Sequence, residues 1–273
     1  MNRKKIKLAL QSAEAAAQKA GAVMSRNLHS NKRANFVSQH DIKLELDVRC
    51  QRLIERHLRN SHPDIAVLGE EGESGQIAGR YRWVVDPIDG TVNFAYGIPH
   101  ACVSIALQAR CEPSARGDRV RCFGNYETIV GAVFDPFMDE MWVASKGGPA
   151  LLNGKKIQVS RRARLAECIL AIGFSKTKSS MDSMLPSFNR LVHQVRKMRI
   201  MGAAALSLSW IAGGRMDAFV ESGVRLWDVA AGGLILERAG GEFYCRPIEG
   251  YQRFRMIANN GLVRRKIQRY LQG

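Results

Sequence analysis

The chain has 273 residues, 46% of them hydrophobic and 24% charged, which is the composition of a globular protein with one large or two small domains and ample length for a core. No apolar run approaches the roughly 20 residues of a membrane-spanning helix, so no membrane partner is expected. The formal net charge of +16 at pH 7 leaves acidic ligands and nucleic acid open as partners, although the basic residues are dispersed.

The basic start, residues 1–7, resembles the opening of an export signal, but Gln11, Ser12, Glu14, Gln18 and Lys19 interrupt the apolar stretch such a signal needs. A cytoplasmic location is therefore expected. The six cysteines show no C-x-x-C pair and predict free thiols rather than a disulfide framework or zinc site. Arginines cluster at 116, 119 and 121, at 161, 162 and 164, and at 196 and 199. No aromatic residues interleave with them as a stacking platform would require.

In chain order, Ile6, Leu10, Ala13, Ala17, Ala20, Met24 and Leu28 recur at helical spacing and predict an amphipathic helix over 6–28. Residues 31–41 read as a loop or hairpin. A second helix follows, with Asp47 at its expected start, a position that suits a capping carboxylate. A short buried strand at 65–68 ends at Gly69-Glu70-Glu71-Gly72. Its two carboxylates point in different directions, so at most one serves a shared site.

Trp83-Val84-Val85 reads as a buried strand running into Asp86-Pro87-Ile88-Asp89-Gly90-Thr91. Pro87 and Gly90 predict a tight turn there. The turn carries two carboxylates and a hydroxyl, oxygen ligands of the kind hard cations take. Asp-Pro and Asp-Gly pairs are also ordinary turn chemistry.

Strands over 101–109, 127–134 and 140–144 predict an antiparallel meander, interrupted by a polar excursion at 111–125. Lys146-Gly147-Gly148 marks a boundary between an α+β part, 1–146, and an α/β part, 147–273. Beyond it, strands at 168–172, 216–220, 242–244 and 256–258 alternate with helices at 181–197, 203–212, 227–238 and 263–271. Asp228 opens the 227–238 helix, again a capping position. The small residues Ala230-Ala231-Gly232-Gly233 let that helix pack tightly and bring Asp228 to Asp86, Asp89 and Glu70.

Gly69-Glu70-Glu71, the run from Asp86 to Phe94, and Trp227-Asp228-Val229-Ala230-Ala231-Gly232 together resemble the inositol monophosphatase family, in order and spacing. Gly131 to Pro136 and Leu152 to Lys155 add further family landmarks. The resemblance covers essentially the whole chain. It implies a layered αβαβα sandwich of the sugar-phosphatase type and a lithium-sensitive, Mg2+-dependent phosphomonoesterase.

It further implies that Glu70, Asp86, the Ile88 carbonyl, Asp89 and Asp228 hold two to three Mg2+ ions. Glu70, Thr91 and Asp47 would be catalytic, and Asp89, Gly90, Thr91, Glu221 and Arg225 would bind substrate. The expected substrate is inositol monophosphate or a related small polyol phosphate. Histidinol phosphate, fructose 1,6-bisphosphate and 3′-phosphoadenosine 5′-phosphate are used by relatives and stand as alternatives, as does a role beside RNA or a transcription complex. A homodimer is expected. The chain departs from the family at Lys43, at Leu44 in place of Thr, at Phe174 near a small polar pocket residue, and at Arg225, where animal members carry His.

Overall fold

The computed structural model describes residues 1–38, 42–111, 122–174 and 178–271. The chain begins with α1 (Arg3–Asn27), β1 (Ala34–Val37), β2 (Ile42–Leu44), α2 (Glu45–Ser61), β3 (Ala66–Gly69), β4 (Gly72–Ser74), β5 (Tyr81–Asp89) and α3 (Thr91–Ala95). The middle carries β6 (Cys102–Arg110), β7 (Cys122–Phe123), β8 (Tyr126–Asp135), β9 (Glu140–Ser145), β10 (Leu151–Leu152) and β11 (Lys155–Lys156). The last part carries β12 (Ile169–Ile172), α4 (Lys178–Leu191), β13 (Lys197–Arg199), α5 (Ala204–Ala212), β14 (Ala218–Arg225), α6 (Leu226–Arg238), β15 (Glu242–Pro247), β16 (Arg253–Asn259) and α7 (Arg264–Leu271).

Among the described residues, nine strands form one sheet, in the order β11-β10-β9-β8-β6-β5-β3-β4 with β7 against β8. Five form a second, β13-β12-β14-β16-β15. Helices α1 and α2 cover the outer face of the first sheet, α5 and α6 lie between the sheets, and α4 and α7 cover the outer face of the second. This is the expected αβαβα sandwich. The 111–125 excursion lies largely outside the described residues.

Small side chains set the layer spacing. Helix α1 buries Ala9, Ala13, Ala16, Ala17 and Ala20, a stripe that lets it lie close to the sheet. In the middle layer a Cβ on Gly131 of β8 would stand 2.7 Å from the Ala231 carbonyl of α6, and one on Gly232 would stand 2.8 Å from Leu208 of α5. Helix α6 is thus pressed against a strand and a helix at once, which brings its first turn to the end of β5.

Three local expectations are corrected. Pro87 does not end β5: the strand continues to Asp89, and pairing with β6 steps from Asp86–Ser104 to Asp89–Cys102, leaving one extra residue on β5 as a bulge. Bulges tolerate proline because the ladder bond it cannot make is already interrupted there. The helix expected over 181–197 ends at Leu191, and Lys197–Arg199 instead forms β13, parallel to β12. Asp47 and Asp228 are the third residues of their helices, not the caps.

No helix among the described residues is long and apolar enough to cross a membrane. Cys50, Cys102, Cys168 and Cys245 are free thiols, as the spacing predicts.

Candidate active site

The site lies where β5, the turn between β3 and β4, and the first turns of α2, α5 and α6 meet. Asp86 and Asp89 come from the bulged end of β5 and are nearly buried, 2% and 7% exposed. Asp86 Oδ1 accepts the Ile88 N–H at 3.1 Å, which folds the bulge tightly enough to aim both carboxylates the same way. Gly90 follows with φ of 92°, a left-handed conformation that suits glycine, and Thr91 then opens α3. Thr91 Oγ1 donates to the Ile88 carbonyl at 2.9 Å.

Helices α2 and α6 present their acids in the same manner. Leu44 N–H donates to Asp47 Oδ2 at 2.7 Å, and Arg225 N–H donates to Asp228 Oδ2 at 2.7 Å. Each carboxylate reaches back over the first turn of its helix, half of a capping box, and sits in the favourable field of the helix N-terminus. The other Asp47 oxygen, Oδ1, is buried with no hydrogen-bond partner. Both Asp89 oxygens accept backbone N–H groups at the start of α5, from Ala204 at 3.1 Å and Ala205 at 2.7 Å.

Electrostatics show what has been gathered. Burial first, then Glu70, Asp89, Asp228 and Asp47, push the Asp86 carboxyl well above the usual carboxylate range. Burial raises Asp89 to about 7 against the lowering effect of the Ala205 and Ala204 N–H groups, and raises Asp47 to about 7 against that of Leu44. Glu221, on β14, is raised to about 8 by burial and then by Asp228 and Asp89. The six acids expected at the site therefore act on one another. Such a set is poorly stable as a group of anions and suits a hard divalent cation, which takes oxygen ligands. The orphaned Asp47 Oδ1 fits the same reading. Among the described residues no three such groups already stand in metal-ligating geometry; Asp89 and Asp228 are turned onto backbone N–H groups.

The departures now have places. Lys43 pairs with Glu71 at 3.2 Å, so the second acid of the Glu70-Glu71 pair is held by a cation at the edge of the cluster, where both groups still act on Asp47. The Arg225 guanidinium donates to the Tyr251 carbonyl at the rim. Phe174 packs against Phe188 of α4, ring centroids 6.2 Å apart, on the outer side of the second sheet.

Several supporting groups were missed from sequence. Gln51 Oε1 accepts the Glu71 N–H at 2.9 Å and its Nε2 donates to the Gly72 carbonyl at 3.1 Å, fixing the turn that carries Glu70. Its position one helical turn after Asp47 was an available signal. Cys102 Sγ donates to Asp89 at 3.6 Å, and Ser104 Oγ donates to the Trp227 carbonyl at 3.1 Å, tying β6 to α6. These residues carry no distinctive motif.

The sequence profile of the inositol monophosphatase family matches residues 6–117 and 119–271. The chain is 38% identical over 231 residues to the Nus factor SuhB of Xylella fastidiosa, covering 83% of this chain and 78% of that one. It is 36% identical over 235 residues to inositol monophosphatase 2 of Solanum lycopersicum, covering 83% of each. The crystal structure of extragenic suppressor protein suhB from Bartonella henselae superposes with a TM-score of 0.82 at 30% identity, over 96% of this chain and 97% of that one.

Fold, acid cluster and relatives agree on a phosphoric monoester hydrolase. The chain belongs to the inositol monophosphatase family, of which magnesium dependence and lithium sensitivity are typical.

Proposed function

We propose that the chain hydrolyses inositol monophosphate or a related small polyol phosphate, with two to three Mg2+ ions held by Glu70, Asp86, the Ile88 carbonyl, Asp89 and Asp228. The observation that carries this reading is the burial of Asp86 among four other acids. Magnesium held by these residues would supply charge neutralisation for the phosphate, a water of lowered pKa and stabilisation of the leaving alkoxide.

The chain's own groups do the rest. Gly90 and Thr91 offer backbone N–H groups to the phosphate. Glu70 and the Thr91 hydroxyl orient the attacking water and take its proton. Asp47, whose Oδ1 lacks a partner, is the next acceptor once the Thr91 hydroxyl turns from the Ile88 carbonyl. Glu221, raised to about 8, exchanges a hydrogen bond with a polyol hydroxyl, and Asp89 shares that task. Arg225 stands at the rim to meet a second phosphate or a polyol.

Phosphate release from inositol 1-phosphate, histidinol phosphate, fructose 1,6-bisphosphate and 3′-phosphoadenosine 5′-phosphate in Mg2+ tests the substrate. Inositol 1-phosphate is expected to lead. Silence on all four would overturn the proposal.

The chain acts in the cytoplasm as a homodimer. Exposed Tyr96, Ile98 and Ile200 support the dimer: Asn93 donates to the Met201 carbonyl at 2.8 Å and so joins the 96–98 turn to the segment bearing Ile200. A monomeric mass in solution would contradict it. A second reading, association with RNA, is supported by the +16 charge and by relatives named Nus factor SuhB. Its sign is RNA binding that falls steeply with salt and survives Asp86→Asn.

A further inference from the structure

A cavity of about 590 Å³ is lined by Arg161, Arg162, Glu167, Ile169, Arg196 and Arg215, none of them a member of the acid cluster. Four guanidinium groups thus face one lining carboxylate. Two of the four are anchored from behind. Arg162 Nε donates at 2.7 Å to Asp217, whose side chain is fully buried, and its second nitrogen donates to the Gly214 carbonyl at 2.7 Å. Arg215 forks onto Glu140 and lies over the Trp142 ring, 5.0 Å from its centroid.

The other two, Arg161 and Arg196, are exposed and have no ion-pair partner among the described residues. The backbone N–H of Arg196 is pinned to the Cys168 carbonyl at 3.0 Å, which fixes the arginine beside Ile169. Glu167 is itself engaged by Arg164, and Arg196 and Arg162 also hold its carboxyl below the usual range. The lining therefore carries positive charge that the protein does not neutralise.

We propose that this pocket is a second anion site, taking a compact ligand of the di- or triphosphate class. Arginine forks match phosphate oxygens two at a time, and anchored guanidiniums lose little freedom on binding. Two unpaired guanidiniums beside two anchored ones favour a ligand with two or three phosphates over one. The pocket is separate from the catalytic acids. Ile169 opens β12 while Gly173, against Glu221, follows its other end, so the two sites are separated by about 13 Å along the strand. Helix α5 also spans the gap: its first N–H groups hold Asp89, and the Trp210 carbonyl near its other end accepts the Arg215 backbone N–H at 2.9 Å.

Calorimetric titration of pyrophosphate into the full chain in EDTA tests this, because the metal-free acid cluster repels the probe. Saturable 1:1 binding is expected, weakened about tenfold or more in an Arg161→Ala, Arg196→Ala double variant. Neither arginine belongs to the proposed catalytic machinery, so unchanged Mg2+-dependent phosphatase turnover in the double variant confirms its fold. Absence of saturable binding, or equal affinity in the double variant, would overturn the proposal. Binding of an RNA oligonucleotide but not of pyrophosphate would overturn it too, since the arginines would then be an open face rather than a pocket.

Discussion

Glu221 depends on a neighbour with no side chain. A Cβ on Gly173 would fall 1.8 Å from Glu221 Oε2, so this glycine is the floor on which the acid rests. Gly173→Ala is expected to displace Glu221 and raise KM for inositol 1-phosphate about tenfold, with a smaller change in kcat, since a substrate-positioning contact is lost. Unchanged KM would contradict the proposed role of Glu221 in binding substrate. At this scale Glu70, Asp86, Asp89 and Asp228 were legible as carboxylates at strand ends and a helix start, whereas Asp47 read as an ordinary cap and Glu221, inside β14, was singled out only by the family resemblance. Gln51, Cys102 and the Ala204 and Ala205 N–H groups were not, because their roles come from the backbone geometry around them. The engagement of Lys43 with Glu71 was likewise invisible until β2 and the β3–β4 turn were placed side by side.

The elements that matter most are β5 and α6. The apolar run into Asp86 and the small residues of α6 were readable by pattern, and both elements form where expected. Continuation of β5 through Pro87 was not readable, because it depends on the register that β6 imposes. The β13 strand was hidden for the same reason: Lys197–Arg199 has no strand signature and forms only because β12 offers an edge. The close approach of α6 to β8 gives a test. Gly131→Ala would force a Cβ to 2.7 Å from the Ala231 carbonyl, backbone against backbone, and is expected to cost about 1–3 kcal/mol as overpacking. A lower urea midpoint with an unchanged slope is the predicted result; an unchanged midpoint would mean that the layers can part at no cost.

For the whole molecule, the acid cluster sets how stability varies with pH. Asp47 and Asp89 move from ordinary values near 3.8 to about 7 on folding, and Glu221 moves from 4.5 to about 8. A carboxyl raised by folding contributes stability that is complete below its unfolded value and is lost as pH rises through its folded value. The metal-free protein is therefore expected to lose stability from about pH 4 to pH 8. Mg2+ should raise Tm more at pH 8 than at pH 6, because it binds the ionised acids. Melting curves in EDTA and in Mg2+ across that window check both statements. A metal-free Tm that climbs with pH would mean that the acids are not mutually buried.

We propose that one cluster of acids, with Asp47, Asp86 and Asp89 at its buried centre, carries the Mg2+-dependent phosphomonoesterase chemistry of this chain. The direct test is phosphate release from inositol 1-phosphate by the wild type and by Asp86→Asn, in Mg2+, with and without Li+. Wild-type turnover is expected to require Mg2+ and to be inhibited by Li+, with a loss of about a hundredfold or more in Asp86→Asn. Wild-type turnover that persists in EDTA, or a variant as active as the wild type, would contradict it.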